Sequence, residues 1–186
     1  MIVSNAFFHD IKFKIEDNYT LVEKSSVLEL FEKRKNEIDF NWLNMFKTTL
    51  DQGRMALIYN PELFNSSSNS YSEYFNFVVS PENYMPINDE EDLREEKLRF
   101  QHLLEVSYGV VPKIYKFELS NSISFARVCT YCEMDGIAEN TFSAQYSFFI
   151  SFESTENYTI TMTCENKFKD ESINRLDKII KSISKN

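Results

Sequence analysis

The sequence predicts an α+β fold, an antiparallel β-sheet covered by helices, and three observations carry that expectation. From Phe142 to Cys164 two adjacent stretches alternate with a period of two: Phe142, Ala144, Tyr146, Phe148, Ile150 and Phe152 lie opposite Thr141, Ser143, Gln145, Ser147 and Ser151. Tyr158, Ile160, Met162 and Cys164 then alternate with three threonines. Such alternation of aromatic and β-branched residues marks a strand with one buried face. A short amphipathic helix follows at once. Two further helical patterns interrupt strand-like runs upstream without the one-for-one alternation of a parallel βαβ fold.

The elements follow in order. Phe7, His9, Ile11, Phe13 and Ile15 alternate with Phe8, Asp10, Lys12, Lys14 and Glu16 as a first strand, and Asp17-Asn18 turns the chain into a short strand from Tyr19 to Glu23. Ser26-x-x-Glu29 reads as a capping box. It opens a helix over about 27–50 with Leu28, Phe31, Ile38, Trp42, Met45 and Phe46 in one stripe, stopped at Gly53. Met55 to Tyr59 and Tyr74 to Val79 are strands, separated by a serine-rich loop near 65–71. A helix over Glu90–Tyr108 has Leu93, Phe100, Leu103 and Leu104 as its buried stripe and ends at Gly109. Strands over 111–119 and 123–133, joined by a tight Ser120-Asn121-Ser122 connection, lead through Asp135-Gly136 and a loop to about Asn140 into the alternating pair. The final helix begins near Asp170, with Ile173, Leu176, Ile179, Ile180 and Ile183 as its seam and lysines toward its C-terminal end.

Composition narrows the function classes. A chain of 186 residues, with 42% hydrophobic and 15% aromatic residues, is expected to be one domain (1–186) with a helical insertion near 26–52. Three glycines exclude a glycine-rich phosphate loop, and a net charge of −9 from 20 basic and 29 acidic residues disfavours nucleic acid. No apolar run spans a membrane and the first residues do not read as a secretory signal. Three cysteines, an odd number, do not build a disulfide framework. A cytoplasmic location is the resulting expectation, and the sequons at Asn18, Asn65 and Asn157 are read as chance.

Three segments resemble the PsbP-like fold group, which includes the bacterial DcrB-like proteins. They are Phe13-Lys-Ile-Glu-Asp-Asn-Tyr-Thr-Leu-Val22, Phe125-Ala-Arg-Val-Cys-Thr-Tyr131 with Tyr146-Ser-Phe-Phe-Ile150, and Tyr158-Thr-Ile-Thr-Met-Thr-Cys164 with the helix ending Ile179-Ile-Lys-Ser-Ile183. The resemblance covers about the last 75 residues well and the first 20 loosely. It implies an α/β/α sandwich, a binding role without catalytic machinery, and, from some bacterial relatives, a chaperone for secreted effectors.

Few residues offer chemistry. Cys129-Thr-Tyr-Cys132 matches a CxxC pattern, but it falls inside a strand, where residues three apart face opposite ways and no helix dipole activates a thiol. Cys164, His9 and His102 are the remaining soft ligands, so neither a metal nor another cofactor is expected. His9 reads as a packed, hydrogen-bonded residue and His102 as a solvated one. The acidic cluster Glu90-Glu91-Asp92 with Glu95-Glu96 lacks the glycine and ligand spacing of an EF-hand, and the dipole at a helix start accounts for most of it. Tyr71, Tyr74 and Tyr84 flank loops and suit a protein contact, whereas Phe75 and Phe77 suit the core.

The expected function is therefore a non-enzymatic protein-binding module, a chaperone or adaptor for a secreted effector. Its partner is a protein or peptide, homodimerisation is left open, and the contact residues are Tyr71, Tyr74, Tyr84, Glu90, Glu91 and Glu95. The alternative is an immunity protein whose acidic surface neutralises a basic toxin. From a different class, a hydrolase with two carboxylates would need a deep polar pocket joining acids from different elements.

Overall fold

A two-residue turn at His9-Asp10 folds the first segment into a hairpin of β1 (Val3–Phe8) and β2 (Ile11–Glu16), correcting the single strand expected there. Directly opposed residues of an antiparallel pair share a face. Phe8 and Ile11, and Ala6 and Phe13, are such pairs, and all four are buried. Phe7 pairs with Lys12 on the outer face and is exposed, the reverse of the uninterrupted pattern. His9 sits in the turn at φ 51, its Nε2 3.0 Å from the Gly53 carbonyl oxygen and its ring edge-on to Phe8. The computed structural model describes residues 3–23, 26–27, 29, 49–64, 73–80, 87–109, 111–135, 140–150 and 156–186.

Seven more strands form an antiparallel sheet: β3 (Thr20–Glu23), β4 (Met55–Tyr59), β5 (Tyr74–Ser80), β6 (Lys113–Leu119), β7 (Cys129–Asp135), β8 (Thr141–Phe148) and β9 (Asn157–Glu165). Their spatial order is β3-β4-β5-β9-β8-β7-β6. The run from β6 to β9 is a meander, and β9 closes the sheet against β5, pairing Phe75 with Met162 and Phe77 with Ile160. A short β10 (Ser184–Lys185) joins β2 in a separate three-stranded sheet with β1.

Three α-helices are described from end to end: α1 (Pro61–Phe64), α2 (Glu90–Tyr108) and α3 (Lys169–Lys181). The Asp89 carboxylate caps α2 by accepting from the Glu91 and Asp92 amides, and Gly109 ends it at φ 69, its amide donating to the Glu105 carbonyl. Gly53 stops the earlier helix as expected. At φ 68 its amide donates to the Leu50 carbonyl and that of Arg54 to Thr49, a Schellman pair. Residues 26–27, 29 and 49–51 are helical. The centre of the expected 26–52 insertion, the serine-rich loop near 65–71 and Phe152 lie outside the described residues.

The seven-stranded sheet divides three clusters of buried residues. One face packs on the small sheet and α3, through Phe8, Phe13, Phe75, Phe77, Tyr158, Ile160 and Leu176. The opposite face carries Val27, Leu50, Met55 and Leu57 toward the β4 side, and Leu104, Cys132 and Met134 under α2. A helix and small sheet, a central sheet, and helices thus form three layers. This is why every residue of β4 is buried. The alternation of β8 and β9 holds, but their polar face is sheltered too: Thr141 and Ser143 are buried. Side-chain hydrogen bonds between Ser143 and Thr163, Gln145 and Thr161, and Ser147 and Thr159 link cross-strand neighbours there.

Two other expectations change. Ile123 to Val128 is not strand; β7 begins at Cys129 and the connection runs through Ser120–Val128. Ile123 and Phe125 alternate because they plug the core from a loop, whose Arg127 amide donates to the Phe149 carbonyl. Leu103 is 55% exposed rather than part of the α2 stripe, since only the sector around Phe100 and Leu104 meets β6 and β7. Among the described residues no helix is long and apolar enough to cross a membrane.

Candidate functional site

The acidic half of α2 presents its carboxylates outward. Glu90, Glu91 and Glu95 are exposed, while Asp92 turns back to accept from the Asn88 amide at 2.7 Å. Glu91 and Arg94 are 3.8 Å apart on the surface, and Arg99 makes a two-pronged contact to Glu96, with both distances 2.9 Å. Screened pairs of this kind add little stability, so the cluster remains a source of negative potential. Further along, Leu98, Leu103 and Val106 are 60%, 55% and 70% exposed, and Val111 and Tyr115 beyond the helix are exposed as well. The sequence reading missed this apolar run, since every one of these residues also fits a core position.

The three tyrosines do not come together as a described site. Tyr71 and Tyr84 lie outside the described residues. Tyr74 begins β5 opposite Tyr59 and packs partly buried on the Val27, Leu50 and Met55 cluster.

The three thiols are buried, Cys129 and Cys164 in one cluster and Cys132 in another. Cys129 joins the cluster under α3 whereas Cys132 joins that under α2, on opposite faces of β7, as alternation requires. Burial pushes both thiols up to about 12, and Cys164 to about 11. A thiol held protonated is a poor nucleophile. Among the described residues no three His, Cys, Asp or Glu side chains gather as a metal site.

A second feature escaped the sequence entirely. Glu73, buried just before β5, accepts from the Tyr19 hydroxyl at 2.6 Å and from the Ser172 hydroxyl, and pairs with Arg175. Arg175 also lies 3.4 Å from Glu16 and stacks its guanidinium over the Tyr19 ring, 5.4 Å from the centroid. Burial, together with the neighbouring Glu73 carboxylate, holds the Tyr19 hydroxyl well above its ordinary range. Beside this network a cavity of about 210 Å³ opens between β2 and α3, walled by Ile15, Tyr19, Phe75 and Ile179 and rimmed by Lys14 and Lys178. No spacing motif signals these contacts, because they join residues from dozens to more than a hundred positions apart.

Comparison with known proteins finds similarity in structure alone. No family model matches the chain, and no curated protein matches it. The solution structure of cyanobacterial PsbP (CyanoP) from Synechocystis sp. PCC 6803 superposes with a TM-score of 0.59 at 8% identity, over 99% of this chain and 92% of that one. The crystal structure of the Saccharomyces cerevisiae Ran-binding protein Mog1p does so with a TM-score of 0.54 at 8% identity, over 99% of this chain and 95% of that one. The chain has a PsbP-like α+β fold.

Proposed function

We propose that this chain is a non-enzymatic protein-binding module whose contact surface is the outer side of α2. The observation that carries the reading is the exposure of Leu98, Leu103 and Val106 beside the outward carboxylates of Glu90, Glu91 and Glu95. An exposed apolar run beside a charged one supplies desolvation energy at its centre and steering around it. The fold neighbour Mog1p, a Ran-binding protein by its title, is a precedent for this scaffold in protein binding. The partner surface is basic, with apolar side chains among its cations.

Within that class we place the chain as a cytoplasmic chaperone or adaptor for a secreted effector. The second reading, an immunity protein against a basic toxin, draws its support from the acidic half of α2. The hydrolase alternative loses support at the Glu73 network. Glu73 and Glu16 come from different elements, but Tyr19, Ser172 and Arg175 occupy the Glu73 carboxylate. That arrangement suits a strut better than an acid–base pair.

The test is capture from native lysate with chemical cross-linking, comparing the wild type with Glu90→Gln/Glu91→Gln/Glu95→Gln and Leu98→Ser/Val106→Ser. Loss of one partner with either variant, and cross-links from that partner to α2, supports the reading. An identical captured set for all three proteins rejects it.

A further inference from the structure

We propose that the cavity between β2 and α3 receives an aromatic side chain from an acidic segment of the partner. The inference rests on the protein-binding reading and adds a second contact, on the layer opposite α2. Its walls are apolar and already ordered: Ile15, Tyr19, Phe75 and Ile179 are all buried side chains. About 210 Å³ exceeds the ~150 Å³ of an apolar protein cavity that accepts benzene, so a phenyl ring fits. Tyr19 and Phe75 supply aromatic surface for edge or offset contacts with such a ring.

The charge at the mouth selects the rest of the segment. In a chain of net charge −9, the exposed lysines Lys14 and Lys178 stand at the rim, and Lys181 ends the same helix. Glu16 is the acid among the described lining residues, and it is turned toward Arg175 at 3.4 Å and Lys178 at 3.9 Å. The rim therefore favours carboxylates on either side of the inserted ring, while α2 favours cations. The edges of the cavity are fixed by the terminal helix, since the Lys14 amide donates to the Ser182 hydroxyl at 2.8 Å, and that hydroxyl donates to the Ile179 carbonyl at 2.7 Å. A preformed pocket of this kind spares a bound side chain the cost of ordering its host.

The probe is an end-blocked pentapeptide with a central phenylalanine between pairs of aspartates, titrated into the full chain carrying labelled isoleucine methyl groups. The expected result is saturable shifts of the Ile15 and Ile179 methyl signals. An alanine-centred peptide should bind about tenfold or more weakly, and Lys14→Glu/Lys178→Glu should weaken the phenylalanine peptide by a similar factor. Both lysines are exposed, and Lys14→Gln/Lys178→Gln provides a milder second variant with a smaller loss. Absence of saturable shifts at millimolar peptide overturns the proposal. So does equal binding of a lysine-flanked phenylalanine peptide, or of phenylacetate alone. Failure here with lysate capture still sensitive to the α2 variants removes this pocket only; capture insensitive to those variants removes the α2 reading instead.

Discussion

Arg175 on the terminal helix and Glu73 at the head of β5 form an ion pair across 102 residues of sequence. The same carboxylate holds Tyr19 and Ser172, so one acid joins β3's approach, β5 and α3. Removing one member of a buried pair leaves the other uncompensated. Glu73→Ala is expected to cost about 2–4 kcal/mol in urea unfolding. Arg175 is a quarter exposed, so Arg175→Met should cost less, and the double variant less than the sum of the two. A double-mutant cycle checks this; simple additivity would show that the pair is not coupled.

The buried thiols and phenols make the fold sensitive to alkali. Burial raises Cys129 and Cys132 to about 12, Cys164 to about 11 and Tyr158 to about 12, against ordinary values of 9 for cysteine and 10 for tyrosine. Above those ordinary values the unfolded chain releases protons that the folded chain keeps, so stability falls as pH rises. The urea midpoint should be level from about pH 7 to pH 8.5 and decline steadily from about pH 9 to pH 11. A midpoint that rises over that interval contradicts the burial of these groups.

Thiol reactivity gives an independent reading of the same burial. At pH 8 a chromogenic disulfide reagent should label the three cysteines of the native protein far more slowly than those of the chain in guanidinium. Fast labelling of Cys132 in the native protein would place it outside the cluster under α2.

Leu103 and Leu104 are neighbours in sequence with opposite expected costs. Leu104 is packed on Cys132 and Met134, so Leu104→Ala should destabilise by about 2 kcal/mol. Leu103 is more than half exposed, and Leu103→Ala should stay within about 0.5 kcal/mol. Equal losses in thermal unfolding would mean that α2 is rotated from the position described.

The ends of α2 separate two kinds of local energy. Among the described residues, chain neighbours and the helix's own backbone aside, no heavy atom lies within 4 Å of a Cβ placed on Gly109, so Gly109→Ala tests backbone conformation at φ 69 and should cost about 1 kcal/mol. Asp89→Ala removes a side chain that accepts from two amides and should also cost about 1 kcal/mol. Because the sites lie at opposite ends of the helix, their effects should add; circular dichroism during urea titration measures both.

Much of the framework was legible in local pattern. The β4, β5, β8 and β9 strands, α2 with its stop at Gly109, and the Leu176–Ile183 seam follow from periodicity and from Gly53 and Gly109 acting within a few residues of themselves. The hairpin at His9-Asp10 was not legible, because a two-residue turn leaves an alternating pattern superficially unbroken while exchanging the faces of Phe7 and Phe8. Ile123 and Phe125 misled for a related reason: burial in a loop has no period of its own. Of the candidate site, the carboxylates of Glu90, Glu91 and Glu95 could be assigned to a helix start. The exposure of Leu98 and Val106 could not, since an apolar side chain carries no mark of which neighbour will cover it.

The amino-acid order alone determined an antiparallel, helix-covered sheet, because backbone periodicity and capping are local and each residue states its own preference. Tertiary structure decided which apolar residues stay in water, which face each end of the first hairpin presents, and that Glu73, Arg175 and the cavity beside them come together. The last of these depends on contacts between segments about a hundred residues apart, where the energy belongs to the pair and is written in neither residue by itself.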